Sequence, residues 1–133
     1  MRSSMRKSIR AAIAIVLLVA AGCGGGSGGG GQVSISSQDR LEAGTIFVAR
    51  CVTCHGIAGT GTGPGAVNLN PKPRDYTDPA WQKTVTDEEI EKAIVYGGAA
   101  VGKSGQMAPN PDLQAKPGVV AALRERVRQF GQM

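Results

Sequence analysis

The chain has 133 residues, which is enough for one domain but not for two. It carries 15 Lys and Arg against 10 Asp and Glu, and almost all of the basic excess precedes Cys23. The net charge of +5 therefore gives no reason to expect a nucleic-acid partner. A single histidine excludes any site that needs two histidines from one chain. Aromatic residues make up only 4% of the sequence, so we expect another group to supply apolar bulk to the core.

The first 22 residues have the layout of a secretory signal peptide. A basic segment, Met1–Arg10, leads into an apolar run at 9–21. This run is shorter than the about 20 residues that a membrane-spanning helix needs. It ends in the letters AAGC, which resemble a bacterial lipobox, although the first of them is Ala where Leu is usual. We expect cleavage after Gly22 and lipidation of Cys23; the alternatives are cleavage that leaves a free thiol, and an uncleaved signal anchor.

A glycine-rich segment, GGGSGGGG at 24–31, follows the lipidation site. Such a segment cannot bury apolar surface and is predicted to be a flexible coil. The sequence thus predicts a lipoprotein signal peptide at 1–22, a lipid-anchored tether at 23–37 and a folded domain at 38–133. This is the layout of an extracytoplasmic, periplasmic protein that is held at a lipid bilayer through Cys23.

The most informative stretch is Cys51-Val52-Thr53-Cys54-His55, the C-x-x-C-H pattern of c-type haem attachment. Two thiols three positions apart on a helical turn can each bond one haem vinyl group, and the adjacent imidazole can bind the iron. A thioredoxin-like pair would need a βαβ pattern, and a zinc site would need a second Cys/His pair. A local disulfide would leave His55 without a role. We therefore expect one covalent haem c, with His55 as an axial ligand.

The second axial ligand follows by elimination. Met1 and Met5 precede the predicted cleavage site, and Met133 lies past the final predicted helix. Met107 remains, on a glycine-rich segment bounded by Pro109 that is predicted to form a loop. A thioether on such a loop can approach the open face of a haem, and His/Met ligation raises the reduction potential. A methionine that only fills a packing gap is the alternative.

The first predicted helix delivers the haem motif. It covers about 38–50, with Ser37 as its cap and with Leu41, Phe47 and Val48 on its apolar side. Between His55 and the next helix, frequent Gly and Pro predict a long loop wrapped over a haem.

Two more helices are predicted after this loop. A capping box of Thr86 and Glu89 begins one of them, and Gly97 ends it. The last begins at Pro117 and ends at Gly131. Its apolar stripe consists of Val120, Leu123, Val127 and Phe130. Three arginines lie mainly off this stripe and are expected on a solvated face, with a docking patch as the alternative: Arg124, Arg126 and Arg128.

Over 38–131 the sequence resembles a class I monohaem cytochrome c. The resemblance is carried by Phe47 four residues before Cys51, the haem motif, the Pro/Gly loop, Met107 and the final helix with Phe130. It implies an all-α fold of three main helices and long loops wrapped around one covalent haem, with the first and last helices crossing beside it. It also implies His55 and Met107 as the axial ligands.

The resemblance implies further roles for loop residues. Pro64 would offer its carbonyl to His55, and Tyr76 or Trp81 would reach the haem propionates. The family usually has a small residue at the helix crossing, eight positions before the first haem cysteine. That position is Ala43 here and is followed by Gly44, so the residue at the crossing is open.

We interpret the chain as a one-electron carrier, not an enzyme, between membrane-bound donor and acceptor proteins of a respiratory chain. A fixed haem subunit of a respiratory or other redox complex is the alternative. A haem enzyme or gas sensor would need a displaceable Met107, and no second histidine supports it. Lys72, Lys103 and Lys116 are expected around the haem edge, either steering an acidic partner or merely solvated.

Overall fold

A computed structural model describes residues 33–133. The α-helices are α1 (Ser37–Ile46), α2 (Val52–His55), α3 (Pro79–Thr84), α4 (Asp87–Tyr96) and α5 (Pro117–Phe130). A π-helical segment, Phe47–Cys51, joins α1 to α2, and 3₁₀ turns cover Pro64–Ala66, Gly98–Val101 and Pro111–Ala115. Every regular element in this described range is helical, which confirms the all-α prediction. Among these helices none is long and apolar enough to cross a bilayer. The predicted signal peptide, Cys23 and the glycine-rich segment lie outside the described residues.

Helix α1 begins with a capping box one residue earlier than predicted. The hydroxyl of Ser36 accepts a hydrogen bond from the Asp39 amide at 3.1 Å, and the Asp39 carboxylate accepts from the Ser36 amide at 2.8 Å. The cap is therefore Ser36 and not Ser37, because only the earlier serine has a carboxylate three residues after it. The helix continues through the π-helical segment to His55, so it is also longer than predicted.

The buried side of α1 differs from the predicted one. Leu41 and Val48 are 68% and 59% exposed. The residues that enter the core are Ala43, Ile46 and Phe47. These three follow the i, i+3, i+4 spacing of one helical face, and Leu41 and Val48 lie off that face. Ala43 is buried, whereas a Cβ on Gly44 would meet nothing within 4 Å, so Ala43 is the residue that packs.

Helix α5 packs in the core, and its predicted bounds and apolar stripe are confirmed. Pro117 occupies its first turn, and the chain leaves the helix at Gly131. All four residues of the predicted stripe are buried: Val120, Leu123, Val127 and Phe130. Helix α1 packs against α5, and the rings of Phe47 and Phe130 lie 5.6 Å apart between their centroids. The first and last helices therefore meet as the resemblance implies.

Helix α4 begins and ends as predicted, at the Thr86–Glu89 capping box and at Gly97. It packs against α5, which overturns the prediction of a solvated arginine face. Arg124 and Arg128 both form ion pairs with Asp87 in the first turn of α4. The guanidinium of Arg126 lies over the rings of Phe47 and Phe130, at 5.2 and 5.4 Å from their centroids. The arginines are not free in solvent, because Arg124 and Arg128 contact the acidic start of α4 and Arg126 contacts the aromatic core.

The segment between His55 and Thr86, predicted to be a loop throughout, contains a short helix. Helix α3 begins at Pro79, and the carboxylate of Asp78 accepts hydrogen bonds from the amides of Ala80 and Trp81 at 2.9 and 3.3 Å. Asp followed by Pro at the first helical position is a start signal that was available in the sequence. The helix ends after Thr84, because the backbone of Val85 is extended.

Candidate haem site

The haem motif occupies the end of the long first helix. Cys51 ends the π-helical segment, and Cys54 and His55 lie in α2. Gly56 then takes a φ of +76°, and its amide donates to the Val52 carbonyl at 2.8 Å. Glycine adopts this conformation without strain, so the chain turns away directly after the histidine. Both thiols are half-buried and free.

His55 is held in one orientation. Its side chain is among the few buried polar groups, with the residue 8% exposed, and its Nδ1 lies 3.3 Å from the Arg74 carbonyl oxygen. A carbonyl only accepts, so Nδ1 carries the proton and Nε2 keeps its lone pair. Burial lowers the pKa of His55 and outweighs the Arg74 hydrogen bond, which acts in the opposite direction. The lowered pKa favours the neutral imidazole. A neutral imidazole with a free Nε2 is the form that binds iron.

The Arg74 hydrogen bond corrects the role assigned to Pro64. The carbonyl that faces the His55 ring belongs to Arg74, not to Pro64. The segment around Pro64 instead lies along the backbone of the motif, where the Gly63 amide donates to the Cys54 carbonyl at 3.1 Å. Sequence gives no signal for such an acceptor, because every residue has a carbonyl and only the path of the loop decides which one faces the ring.

The rings of His55, Tyr76 and Trp81 stack in series. The Tyr76 ring stacks on the imidazole with centroids 4.5 Å apart and planes 12° apart, and Trp81 follows at 5.7 Å from Tyr76. Tyr76 is buried, and burial raises the pKa of its phenol far above the ordinary value, so the hydroxyl stays neutral. Trp81 is half-buried, and the Arg74 guanidinium lies 5.6 Å from its ring centroid. The propionate contacts that the resemblance implies for these residues stay a prediction.

Met107 lies on a loop that is fastened to the end of α4. Its carbonyl accepts from the Gly98 amide at 3.0 Å, and its amide donates to Ser104 at 3.3 Å. A Cβ added to Gly98 would collide with the Ser104 carbonyl, so the loop closes against α4 only because this position is glycine. Asn110 secures the far end through Val95, whose carbonyl accepts from the Asn110 amide at 2.9 Å. The Met107 side chain is half-buried.

The donor set fits a covalent haem. Burial raises the pKa of Cys51 to about 11, with the nearby Arg50 charge opposing the rise, so this thiol is protonated at neutral pH. Two thiols on successive turns of one helix, followed by a neutral imidazole with a free nitrogen, are the groups that haem c requires. The residues present would hold the porphyrin through Cys51 and Cys54 and the iron through His55.

Two of the three lysines considered for steering a partner are engaged within the chain. The Lys72 ammonium donates to the carbonyls of Ala66 and Val67 at 2.8 and 2.7 Å. Lys116 forms an ion pair with Glu42 at 2.5 Å. These contacts fasten loops and helix ends, which favours the interpretation of both lysines as ordinary structural surface charges.

Comparison with known proteins gives the family. A family model described as Cytochrome c matches residues 41–123, a range that includes the haem motif and Met107. A solved structure titled "KustC0563 c-type cytochrome" is 31% identical, over 65% of this chain and 93% of that chain, with a TM-score of 0.47. None of the curated proteins compared with the chain matches it. The chain is a member of the cytochrome c family, a class I monohaem cytochrome c that binds haem c covalently and carries electrons.

Proposed function

We propose that this cytochrome carries single electrons with His55 and Met107 as its two axial iron ligands. The observation that carries the proposal is the fixed state of His55: buried, neutral and bonded through Nδ1 to the Arg74 carbonyl. This hydrogen bond to the backbone restricts rotation of the imidazole ring. Met107 is supported by its loop, which backbone hydrogen bonds hold to the end of α4.

When bound, the haem supplies reversible one-electron iron chemistry. The residues of this chain give it a constant environment. Tyr76 stacks on the His55 ring, the buried Phe130 ring packs against Tyr76, and the buried Phe47 ring packs against Phe130. This packing excludes water from the histidine side, and exclusion of water together with a Met ligand favours the reduced state. We expect no substrate turnover, because carriage of an electron needs no bond to form or break.

We also infer that the protein is a lipoprotein that works between membrane-bound donor and acceptor proteins. Cytochrome c domains function outside the cytoplasm, where haem is attached. The basic and apolar start of the sequence, the AAGC letters that end at Cys23 and the glycine-rich segment after them support an anchor and a tether. Several acyl chains on one cysteine would give stable attachment, which a single chain does not.

The visible spectrum of the reduced protein, with and without carbon monoxide, tests the ligand set. A sharp low-spin spectrum that carbon monoxide leaves unchanged is expected for the wild type. Met107→Ala should bind carbon monoxide at once, because it opens one coordination position. Met133→Ala is the matched control, since Met133 is 85% exposed at the end of the chain. A wild-type protein that binds carbon monoxide as readily as Met107→Ala would contradict the proposal and favour a sensor or enzyme.

A separate experiment tests the anchor. The full chain and its Cys23→Ser variant are expressed in a bacterial host that attaches c-type haem, and each is partitioned between detergent and aqueous phases. The wild type should enter the detergent phase, and Cys23→Ser protein that has lost residues 1–22 should stay aqueous. Equal partitioning of the two proteins, both without residues 1–22, would contradict lipidation at Cys23.

A further inference from the structure

We propose that the stacked rings of His55, Tyr76 and Trp81 form an electron path from the iron to the surface of α3. The proposal rests on the proposed function, because it requires His55 to be an iron ligand. It adds a second point of electron entry or exit, at Trp81, on the histidine side of the haem. The partner at this point is a one-electron redox protein whose own centre comes close to the indole.

The geometry of the three rings carries the inference. The imidazole and the phenol ring are nearly parallel, with planes 12° apart and centroids 4.5 Å apart. The phenol and indole rings follow at 5.7 Å with planes 28° apart. These separations are those of stacked aromatic pairs in contact. Delocalised orbitals in contact couple electronically more strongly than the same distance filled by saturated side chains, so the series is a favoured route for tunnelling.

The ring series runs from a buried end to an accessible one. His55 and Tyr76 are buried, whereas Trp81 is half-buried on α3. An exposed basic side chain lies against the indole, because the Arg74 guanidinium is 5.6 Å from its ring centroid. A partner with an acidic rim around its redox centre suits this surface.

One segment, residues 74–82, fixes all three rings. The Arg74 carbonyl orients His55 while its guanidinium lies over Trp81. The Tyr76 amide donates to the Gly59 carbonyl at 2.8 Å, and the Tyr76 carbonyl accepts from Gln82 at 2.7 Å. The rings are therefore held in register by backbone contacts and do not depend on their own stacking.

The step is a single-electron transfer. With haem bound, a reduced donor beside Trp81 would be oxidised by one electron, the electron would pass by the Trp81, Tyr76 and His55 rings to reduce the ferric haem, and no bond would form or break. Tyr76 and Trp81 are not oxidised and no proton moves, because their orbitals mediate the tunnelling without being occupied by the electron. The reverse transfer delivers an electron from ferrous iron to an oxidised acceptor at the same place.

Flash photolysis tests the path in the haem-loaded protein. A ruthenium polypyridyl photosensitiser is attached to a histidine introduced by Lys83→His on α3 or, for comparison, by Lys92→His on α4; both lysines are exposed. Trp81→Leu should slow transfer from the α3 label several-fold and leave transfer from the α4 label unchanged. Trp81→Phe, which keeps a ring, should restore most of the rate. Tyr96→Leu is the matched control for the α3 label, because Tyr96 is exposed on α4 and belongs to none of the three stacked rings.

A second measurement reports the ring geometry without electron transfer. The near-ultraviolet circular dichroism of the oxidised protein should contain a coupled signal from Tyr76 and Trp81, which Trp81→Leu removes and Tyr96→Leu retains. Absence of that signal from the wild type overturns the proposal, and so does an unchanged α3 rate in Trp81→Leu. An equal slowing from both labels also overturns it, because it shows a general structural effect. If Trp81→Leu fails to bind haem, a loss of rate in Trp81→Phe or Tyr76→Phe, which keep the rings, is the overturning result.

The two proposals fail in different ways. A wild-type protein without a reversible one-electron couple, or with an iron that binds carbon monoxide freely, refutes the proposed function whatever Trp81 does. A wild-type protein with a reversible one-electron couple and a low-spin spectrum, but with the same transfer rate from the α3 label in Trp81→Leu, refutes only the proposed electron path.

Discussion

Replacement of Asp87 by Asn should weaken the contact between α4 and α5 measurably. The Asp87 carboxylate accepts from Arg128 Nε at 2.8 Å, pairs with Arg128 Nη2 at 2.7 Å and also pairs with Arg124. The two arginines are 26% and 20% exposed and Asp87 is 39% exposed, so water screens the pairs only in part. Arg128 further donates to the carbonyls of Gln82 and Val85, both at 2.8 Å, which links α3 to the same point.

The magnitude follows from this partial burial. A shielded hydrogen bond to a charged group contributes about 1.5–3 kcal/mol, whereas an exposed ion pair contributes about 0.2–1 kcal/mol. Between these limits we expect Asp87→Asn to lower the free energy of unfolding by about 1–2 kcal/mol. For a domain of this size that is a fall in Tm of about 4–15 °C. Thermal and denaturant unfolding of the haem-loaded protein, followed by circular dichroism, measure it.

Asp112→Asn is the matched control. Asp112 also pairs with an arginine, Arg50, at 2.9 Å, but the two side chains are 49% and 43% exposed. Its loss should leave the free energy of unfolding almost unchanged, because water screens an exposed ion pair. Equal effects of the two substitutions would refute the reasoning, because the difference in burial would then have no energetic consequence.

The same carboxylate gives the stability a dependence on pH. Burial alone would raise the pKa of Asp87, but the hydrogen bonds from Arg128 and Arg124 outweigh it and lower the pKa below the ordinary value of 3.8. A carboxyl group whose pKa is lower in the folded protein stabilises the fold above its unfolded-state pKa and loses that contribution as the pH falls through the folded value. The stability gap between wild type and Asp87→Asn should therefore close as the pH is lowered below about 4. A gap that stays constant into acid would contradict this assignment.

Three further substitutions test packing, capping and the methionine loop. Phe47→Ala should cost about 3–5 kcal/mol in denaturant unfolding, because the ring is fully buried. Ser36→Ala should cost about 1 kcal/mol, whereas Ser37→Ala should be nearly neutral, since the capping hydroxyl belongs to the first serine. Gly98→Ala should displace the methionine loop and weaken low-spin ligation in the visible spectrum, whereas Gly105→Ala, whose added Cβ meets nothing within 4 Å, should not.

The sequence predicted best where a single local pattern decides the structure. The Thr86–Glu89 box and the Pro117 start each depend on residues within one helical turn, and both are confirmed. The start of α1 was one residue off because two serines stand side by side and only Ser36 has an acidic residue at the third helical position. The missed helix at Pro79 had a valid local signal, but the surrounding Gly and Pro suggested loop throughout.

The predictions that failed depended on contacts between distant segments. The apolar stripe and polar remainder of α5 predict arginines that face solvent, and only the packing of α4 brings Asp87 beside Arg124 and Arg128. The acceptor for His55 was assigned to Pro64, but the loop path brings Arg74 to the ring. At the site itself, the C-x-x-C-H pattern predicts the residues that would bind haem. The contacts around these residues could be identified only from the folded structure.

The small number of aromatic residues is compensated by their placement. The chain has five, and four of them, Phe47, Tyr76, Trp81 and Phe130, form one connected cluster with His55. Packed aromatic rings thus line the histidine side of the site. The Met107 loop, in contrast, is held by backbone hydrogen bonds and by its close approach to Gly98. A wall of packed rings resists deformation more than a loop does. In the proposed ligand set, His55 would therefore be the rigidly held ligand, and Met107 would be the ligand whose position the loop sequence can adjust.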